Sequence, residues 1–226
     1  IWILWKLNIV RKYQMTLINY QKIKQELNNK QRLIAVSKGQ DVSKIKKLYD
    51  LGHRDFGENY LQELIKKSTA LPADINWHFL GKIQTNKIKN IIKFSNLIHS
   101  VSREKVYQKI LNTDVKEKCN FLLQLKLGNE DSKDGLSPEE LINIVENHDN
   151  ESLFCIKGIM GITQNNISEK EKNNQFQICR ELFFKLKENY KNIDTLSLGM
   201  SNDYSLAMSH GSTMVRIGTK IFGERK

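Results

Sequence analysis

The sequence predicts an α/β fold, a single-domain (β/α)8 barrel of the TIM type. Eight short β-prone runs alternate with longer amphipathic stretches, and each connection between runs is too long for a hairpin. The 226 residues, 39% of them hydrophobic, can bury one substantial core and leave little room for a second. The alternative is a doubly wound sheet, but the first run is not followed by the G-x-G-x-x-G turn typical of that fold.

The strand candidates are apolar runs rich in residues that favour extended backbone. They lie at residues 32–36, 54–56, 77–80, 97–100, 121–127, 155–160, 195–198 and 214–217. The helix candidates between them have apolar residues at helical spacing. They lie near residues 42–51, 58–67, 84–93, 103–117, 137–148, 168–190 and 203–209. Ser137, Pro138 and Glu140 are an N-cap, a proline at the first helical position and a glutamate at the third, so they predict a helix start.

Residues 1–14 are predicted to be an N-terminal extension, and residues 15–226 to be the barrel domain. The first ten residues are apolar, but no basic segment precedes them and no small-residue cleavage site follows. They are also far shorter than the roughly 20 residues of a membrane-spanning helix. Helical spacing of apolar residues begins only at Met15. The extension is either disordered or upstream sequence ahead of a true start at Met15.

The net charge of +11 raises the question of a polyanionic partner. The lysines are, however, spread singly or in pairs among Asn, Ile and Glu, without a basic stripe interleaved with aromatic residues. We therefore expect neither a nucleic acid nor a membrane as partner. The three cysteines have no metal-ligand spacing, which predicts reduced thiols, a cytoplasmic location and no metal site.

Polar residues follow the predicted strands at the ends where barrels of this class carry their chemistry. Lys38 directly follows the first strand, residues 57–59 the second, residues 199–203 the seventh and residues 218–219 the eighth. Gly, Ser and Thr in the last two segments would let backbone amides and hydroxyls approach a phosphate. Lys38 would lie at the barrel mouth, where a neutral lysine amine can attack an aldehyde. On position alone, it could equally be a solvated surface lysine.

Four motifs in this order resemble those of the pyridoxal phosphate homeostasis protein family. They are A-V-S-K at 35–38, G-x-R-D-F-G-E-N-Y-x-Q-E at 52–63, W-H-F-L-G-K-I-Q-T-N-K at 77–87 and L-S-L-G-M-S-N-D-Y-x-x-A-M-x-x-G-S-T-M-V-R-I-G-T-K-I-F-G at 196–223. The resemblance extends from about residue 15 to residue 225. It implies a barrel similar to the N-terminal domain of alanine racemase, with pyridoxal 5'-phosphate (PLP) as cofactor.

The resemblance also implies which residues bind the cofactor. They are Lys38, Asn59, Ser201, Arg216, Gly218 and Thr219. Lys38 would hold the cofactor as a Schiff base, Ser201 and the Gly218-Thr219 pair would hold its phosphate, and Asn59 would line the ring. Arg216 would lie beside the pyridine nitrogen. Because an arginine has only donors, it cannot accept a proton from the ring and would leave the ring a poorer electron sink.

The implied function is intracellular PLP homeostasis, as a carrier or buffer with little or no catalytic turnover. PLP-dependent apo-enzymes would be its protein partners. Alanine racemases take a second base from an additional domain, whereas this sequence ends at Lys226, so we expect no catalytic residue and a monomer. The alternative is a slow amino-acid racemase-like enzyme of the same fold. A third possibility, a nucleic-acid-binding barrel, rests only on charge.

Two further side chains have two interpretations each. His78, between two aromatic residues, either carries a proton or is packed and hydrogen-bonded inside the protein, and we favour the second interpretation. Glu58, beside Asn59, is either a carboxylate that faces the cofactor or a charge at a helix start, and we favour the second here as well.

Overall fold

The computed structural model describes residues 2–27, 31–128, 134–164 and 166–224, with side chains from residue 14 onward. The strands in these ranges are β1 (Arg32–Val36), β2 (Asp55–Glu58), β3 (Asn76–Phe79), β4 (Leu97–Val101), β5 (Cys119–Leu125), β6 (Phe154–Gly161), β7 (Thr195–Ser197) and β8 (Met214–Ile217). Neighbouring strands pair in parallel in chain order, and β1 pairs with β8, so the sheet closes into a barrel. The predicted fold is confirmed.

Helices lie on the outside of this barrel. They are α1 (Trp2–Leu27), α2 (Val42–Asp50), α3 (Leu61–Ala70), α4 (Ile88–Phe94), α5 (Glu104–Leu111), α6 (Pro138–Glu146), α7 (Glu169–Asn189), α8 (Tyr204–Ser209) and α9 (Thr219–Phe222). The first helix includes residues 2–14, and the domain boundary placed at residue 14 stays a prediction. Among the helices of the described ranges, none combines the length and apolar character that crossing a membrane requires.

Two apolar layers stabilise the barrel. The larger core lies between strands and helices and includes Phe56, Phe121 and Phe183. A smaller cluster, whose members include Ile34 and Met160, comes from alternate positions that point into the barrel. Burial of apolar area in both layers stabilises the closed sheet by about 25 cal/mol per Å². The reactive groups are therefore carried on a rigid frame.

Two predicted helices differ from the observed ones: the helix predicted at 103–117 ends at Leu111, and the other difference lies at the end of β2. Residues 58–60 were predicted to begin a helix, but Gly57 and Glu58 pair with His78 and Phe79 in the β2–β3 ladder. The third helix begins only at Leu61. Pairing with β3 thus extends the strand through Glu58 and buries its side chain, whereas a helix start would have left the charge near solvent.

The predicted cap at the start of α6 is confirmed. The Glu140 backbone amide donates to Ser137 Oγ at 3.1 Å, and the Ser137 amide donates to Glu140 Oε2 at 2.8 Å. Ser137→Ala is expected to lower the free energy of unfolding by about 1 kcal/mol, because it removes an acceptor for a first-turn amide. Urea denaturation would measure this loss. An unchanged midpoint would contradict it.

Candidate functional site

A cavity of about 480 Å³ opens at the carboxyl ends of the strands. This volume is within the range of about 300–1,000 Å³ that is usual for small-molecule sites. All six residues predicted to bind the cofactor line this one cavity. They are Lys38, Asn59, Ser201, Arg216, Gly218 and Thr219. The structure therefore brings together side chains that lie up to 181 positions apart, 38 to 219, in the sequence.

The turn that carries Lys38 is held by a buried ion-pair cluster behind it. Lys67 Nζ, on α3, donates to the Ser37 carbonyl oxygen at 2.8 Å, to Glu58 Oε1 at 2.8 Å and to Glu63 Oε2 at 2.7 Å. The Gly39 amide donates to Glu63 Oε2 at 2.8 Å. The backbone on both sides of Lys38 is thus bound to one charged cluster, which limits how far this turn can move.

Asn59 presents an unsatisfied polar atom at the cavity. Its Oδ1 is buried and accepts no hydrogen bond from the described residues. The loop after β3 packs closely against its backbone, since a Cβ on Gly81 would lie 1.8 Å from the Asn59 carbonyl oxygen. A buried acceptor without a partner costs about 1–3 kcal/mol. A ligand with a donor at this position would remove that cost.

The loops after β7 and β8 form a polar cradle. Ser201 Oγ accepts hydrogen bonds from the amides of Gly218 and Lys220, each at 3.3 Å. Gly199 has a φ of +88°, and a Cβ there would lie 2.7 Å from Ala207 Cβ, so the turn into this cradle requires glycine. Because β1 pairs with β8, the cradle lies next to the end of the strand that precedes Lys38.

Arg216 lies on the cavity with its guanidinium tied to the barrel wall. Nη1 donates to the Ser197 carbonyl oxygen at 2.8 Å and to Ser197 Oγ at 2.6 Å, and Nη2 donates to the Gly161 carbonyl oxygen at 2.9 Å. Burial lowers the pKa of Arg216 to about 10, while Asp203 and Cys179 act in the opposite direction. The side chain is therefore a buried, oriented cation at neutral pH.

The segment after β6 contributes cavity residues that the sequence analysis missed. They are Thr163, Gln164, Asn166 and Lys172. Thr163 Oγ1 donates to Asp203 Oδ2 at 3.0 Å, which ties this segment to the loop after β7. For Thr163, Gln164 and Asn166 the available signal was positional, because they follow a predicted strand as Lys38 does, but no motif marks them. Lys172 lies on α7.

The two residues with open interpretations have clear environments. His78 is buried and hydrogen-bonded to His99 and Asp55, so the internal interpretation is confirmed. Glu58 does not line the cavity, and it ends a strand instead of beginning a helix, so neither interpretation holds. Its carboxylate accepts hydrogen bonds from Lys67 Nζ at 2.8 Å and from Ser37 Oγ at 2.6 Å. Within the described ranges, no group of His, Cys, Asp and Glu side chains is arranged to hold a metal ion.

Comparison with known proteins gives consistent matches over most of the chain. Residues 16–226 match the family described as alanine racemase, N-terminal domain. The Pyridoxal phosphate homeostasis protein of Haemophilus influenzae is 36% identical over 204 residues, covering 87% of this chain and 86% of the relative. That of Escherichia coli K12 is 36% identical over 202 residues, covering 85% of each chain. That of Schizosaccharomyces pombe is 34% identical over 198 residues, covering 85% and 84%.

Solved structures agree with this assignment. PipY of Synechococcus elongatus, solved with PLP bound, superposes with a TM-score of 0.82 at 30% identity and covers 92% of this chain and 100% of its own. Alanine racemase of Clostridium difficile superposes with a TM-score of 0.77, covering 93% of this chain and 57% of its own, but at 18% identity it supports the fold alone. On the sequence matches and the PipY likeness, this chain belongs to the pyridoxal phosphate homeostasis protein family.

Proposed function

We propose that this protein binds PLP as a Schiff base on Lys38 and acts in PLP homeostasis as a carrier or buffer. The observation that carries the proposal is the single cavity shared by Lys38 and the Ser201–Thr219 cradle. An amine for the aldehyde and donors for the phosphate are both needed to hold PLP. The relatives named for PLP homeostasis and the PLP-bound PipY structure support the same ligand.

The residues present fit the two ends of PLP. At the cradle, the Ser201 hydroxyl and the backbone amides that point at it can hold phosphate oxygens, with Gly218 and Thr219 on the same side of the cavity. The amide group of Asn59, whose buried Oδ1 accepts nothing in the described part of the chain, suits a ring-edge contact. The Lys38 amine, on the same cavity, would hold the aldehyde end of PLP.

Arg216 is proposed to face the pyridine nitrogen. Bound PLP supplies an electron sink for carbanions, and that sink is strongest when the pyridine is protonated. Three hydrogen bonds within the described residues hold the Arg216 guanidinium on the barrel side and leave N–H groups for a ring acceptor. Since arginine donates and cannot accept, it favours an unprotonated ring and slow carbanion chemistry.

The residues that line the cavity give a second argument for little turnover. Among the described lining residues, the titratable side chains are Lys38, Lys172, Asp203 and Arg216. Asp203 Oδ1 already accepts from the Met200 amide at 2.7 Å and Oδ2 accepts from Thr163. A racemase needs two bases on opposite faces of the cofactor, and no tyrosine, histidine or cysteine lines the described part of this cavity.

The Schiff-base assignment is tested by borohydride reduction. The wild-type protein incubated with PLP is expected to show a Schiff-base absorption band and, after reduction, a labelled peptide that contains Lys38. Lys38→Ala is expected to lose both the band and the label. Lys172→Ala, which removes another amine of the same cavity, is the matched control and should keep them. A label on any lysine other than Lys38 would refute the assignment.

The carrier function is tested against the racemase alternative with D- or L-alanine. We expect no enantiomer exchange at ordinary enzyme rates, and turnover of roughly 1–1,000 per second would overturn the carrier proposal.

We further propose that the recipients are PLP-dependent apo-enzymes, that the protein is a cytoplasmic monomer and that residues 15–226 form the functional domain. Size-exclusion chromatography with light scattering tests the monomer, and PLP binding by a chain that begins at Met15 tests the domain.

A further inference from the structure

A continuous line of hydrogen-bonded side chains crosses the barrel interior from the cavity toward the amino ends of the strands. Arg216 Nη1 donates to Ser197 Oγ at 2.6 Å, and Ser197 Oγ lies 3.1 Å from His99 Nδ1. His99 Nε2 lies 3.0 Å from His78 Nδ1, and His78 Nε2 lies 3.2 Å from Asp55 Oδ1. The other four members of this line, Arg216, Ser197, His99 and His78, are at most 5% exposed. We call this set the barrel chain.

The far end of the barrel chain is anchored by an ion pair at the opposite end of the barrel. Arg32 Nε donates to Asp55 Oδ1 at 2.9 Å, and the Arg32 side chain is 47% exposed. Burial acts to raise the pKa of Asp55, but hydrogen bonds from His78 and Arg32 outweigh it and hold this pKa below its ordinary value. Asp55 is therefore a carboxylate that only accepts hydrogen bonds.

Because the Asp55 carboxylate can only accept, it determines the direction of every hydrogen bond in the barrel chain. Burial lowers the pKa of both His78 and His99, so each ring is neutral and has one N–H. His78 must place its hydrogen on Nε2 to donate to Asp55, which leaves Nδ1 to accept from His99 Nε2. His99 Nδ1 then accepts from the Ser197 hydroxyl, whose oxygen accepts from Arg216.

We propose that His99, acting through Ser197, is a positioning residue for Arg216, and that the barrel chain sets the electronic state of bound PLP. This rests on the proposed function. The aligned dipoles of the chain lead from a buried cation to a carboxylate, so they stabilise the guanidinium in one orientation. Without them, the Ser197 and Gly161 carbonyls still hold Arg216, but its orientation is fixed less strictly, so its contact with the pyridine nitrogen weakens and the ring can take a proton from water.

The first test uses the PLP-free protein. Nitrogen-15 NMR of the histidine rings is expected to show both His78 and His99 as neutral tautomers with the hydrogen on Nε2. Asp55→Asn removes the charge at nearly constant shape, and because the amide can also donate to His78, we expect a detectable fraction of the other tautomer. A wild-type protein with the hydrogen on Nδ1 of either ring would overturn the proposal.

The second test uses the PLP-loaded protein. His99→Phe keeps a ring of similar size but interrupts the hydrogen bonds of the barrel chain. We expect it to weaken PLP binding by about tenfold, because the buried Arg216 guanidinium loses support. Nitrogen-15-labelled PLP should show a larger protonated fraction of the pyridine nitrogen. His99→Asn, whose side-chain oxygen can still accept from Ser197, should retain most of the wild-type affinity and signal.

A matched control separates positioning from general damage. His148 is also buried and hydrogen-bonded, to Tyr107 and to the Phe154 carbonyl, but lies outside the barrel chain. His148→Phe should therefore leave PLP affinity and pyridine protonation unchanged. If His99→Phe does not fold, Ser197→Ala breaks the same link with a smaller change. If the chain-breaking variant behaves like His148→Phe in both readouts, the proposal is wrong.

The proposed function and the proposed role of the barrel chain can be disproved separately. If the wild-type protein does not bind PLP, the proposed function is wrong and the PLP half of this inference fails with it. The histidine tautomers of the PLP-free protein would then still show whether the directed chain exists. If PLP binds and the tautomers are opposite to those expected, the inference fails while the proposed function stands.

Discussion

Lys67→Met is expected to lower the free energy of unfolding by about 3–5 kcal/mol. The Lys67 side chain is 5% exposed and that of Glu58 is 0% exposed, so this ion pair is shielded from water. Methionine fills a similar space, but it leaves a buried carboxylate with Ser37 as its one partner among the described residues. Burial already raises the pKa of Glu58, and Lys67 opposes that rise. Urea denaturation at neutral pH measures the loss.

Two controls define what this loss means. Glu58→Leu combined with Lys67→Met removes both charges, and we expect it to be more stable than Lys67→Met alone, because no unpaired charge stays buried. Lys46→Met breaks the exposed pair with Asp50, whose side chains are about half exposed, and should cost less than about 1 kcal/mol. Equal losses for Lys67→Met and Lys46→Met would show that the buried cluster does not stabilise the fold.

The same cluster connects stability to the cavity. Lys67 holds the Ser37 carbonyl and Glu63 holds the Gly39 amide, so the turn around Lys38 depends on both. In Lys67→Met, we expect the Gly39 amide to exchange its hydrogen faster than in the wild-type protein, since local opening costs less free energy. The amide of Leu198 in the distant β7 region should change less.

The sequence was sufficient for the barrel because its information is local there. Each strand is a short apolar run, and the order of strands in a barrel follows the order of the chain. The nearness of Lys38 to Gly218 was predictable for the same reason, because closure pairs Ala35 with Ile217. Reactive residues at strand ends are thus brought together by topology alone, and the resemblance supplied their chemistry.

The contacts that tune the site could not be derived in this way. Ser197 and His99 are 98 residues apart, and their hydrogen bond depends on side-chain directions inside the closed barrel. The Lys67–Glu58 pair depends on a strand that continues to residue 58, where the local pattern favoured a helix. Pairing with β3 decided that point, and such pairing is a long-range property that periodicity does not encode.

Acidification from pH 6.5 to pH 4 is expected to destabilise the protein by about 3 kcal/mol through His53 alone. Burial lowers the pKa of His53 from 6.5 to about 4, although the Asp55 carbonyl and carboxylate oppose this. Between pH 6.5 and pH 4 the His53 ring binds a proton in the unfolded chain but stays neutral in the folded protein. Proton binding therefore lowers the free energy of the unfolded state alone. The stabilisation is complete above pH 6.5 and is lost as the pH falls toward 4.

His78 and His99 add to this loss with the same sign, because burial lowers the pKa of both rings as well. His53→Gln removes one proton-binding step from the unfolded state, so its stability should fall less steeply with acid than that of the wild-type protein. Urea midpoints at half-unit pH intervals measure the slopes. If His53→Gln and the wild-type protein lose stability in parallel between pH 6.5 and pH 4, the ring of His53 is protonated in the folded state, and its burial does not govern acid stability.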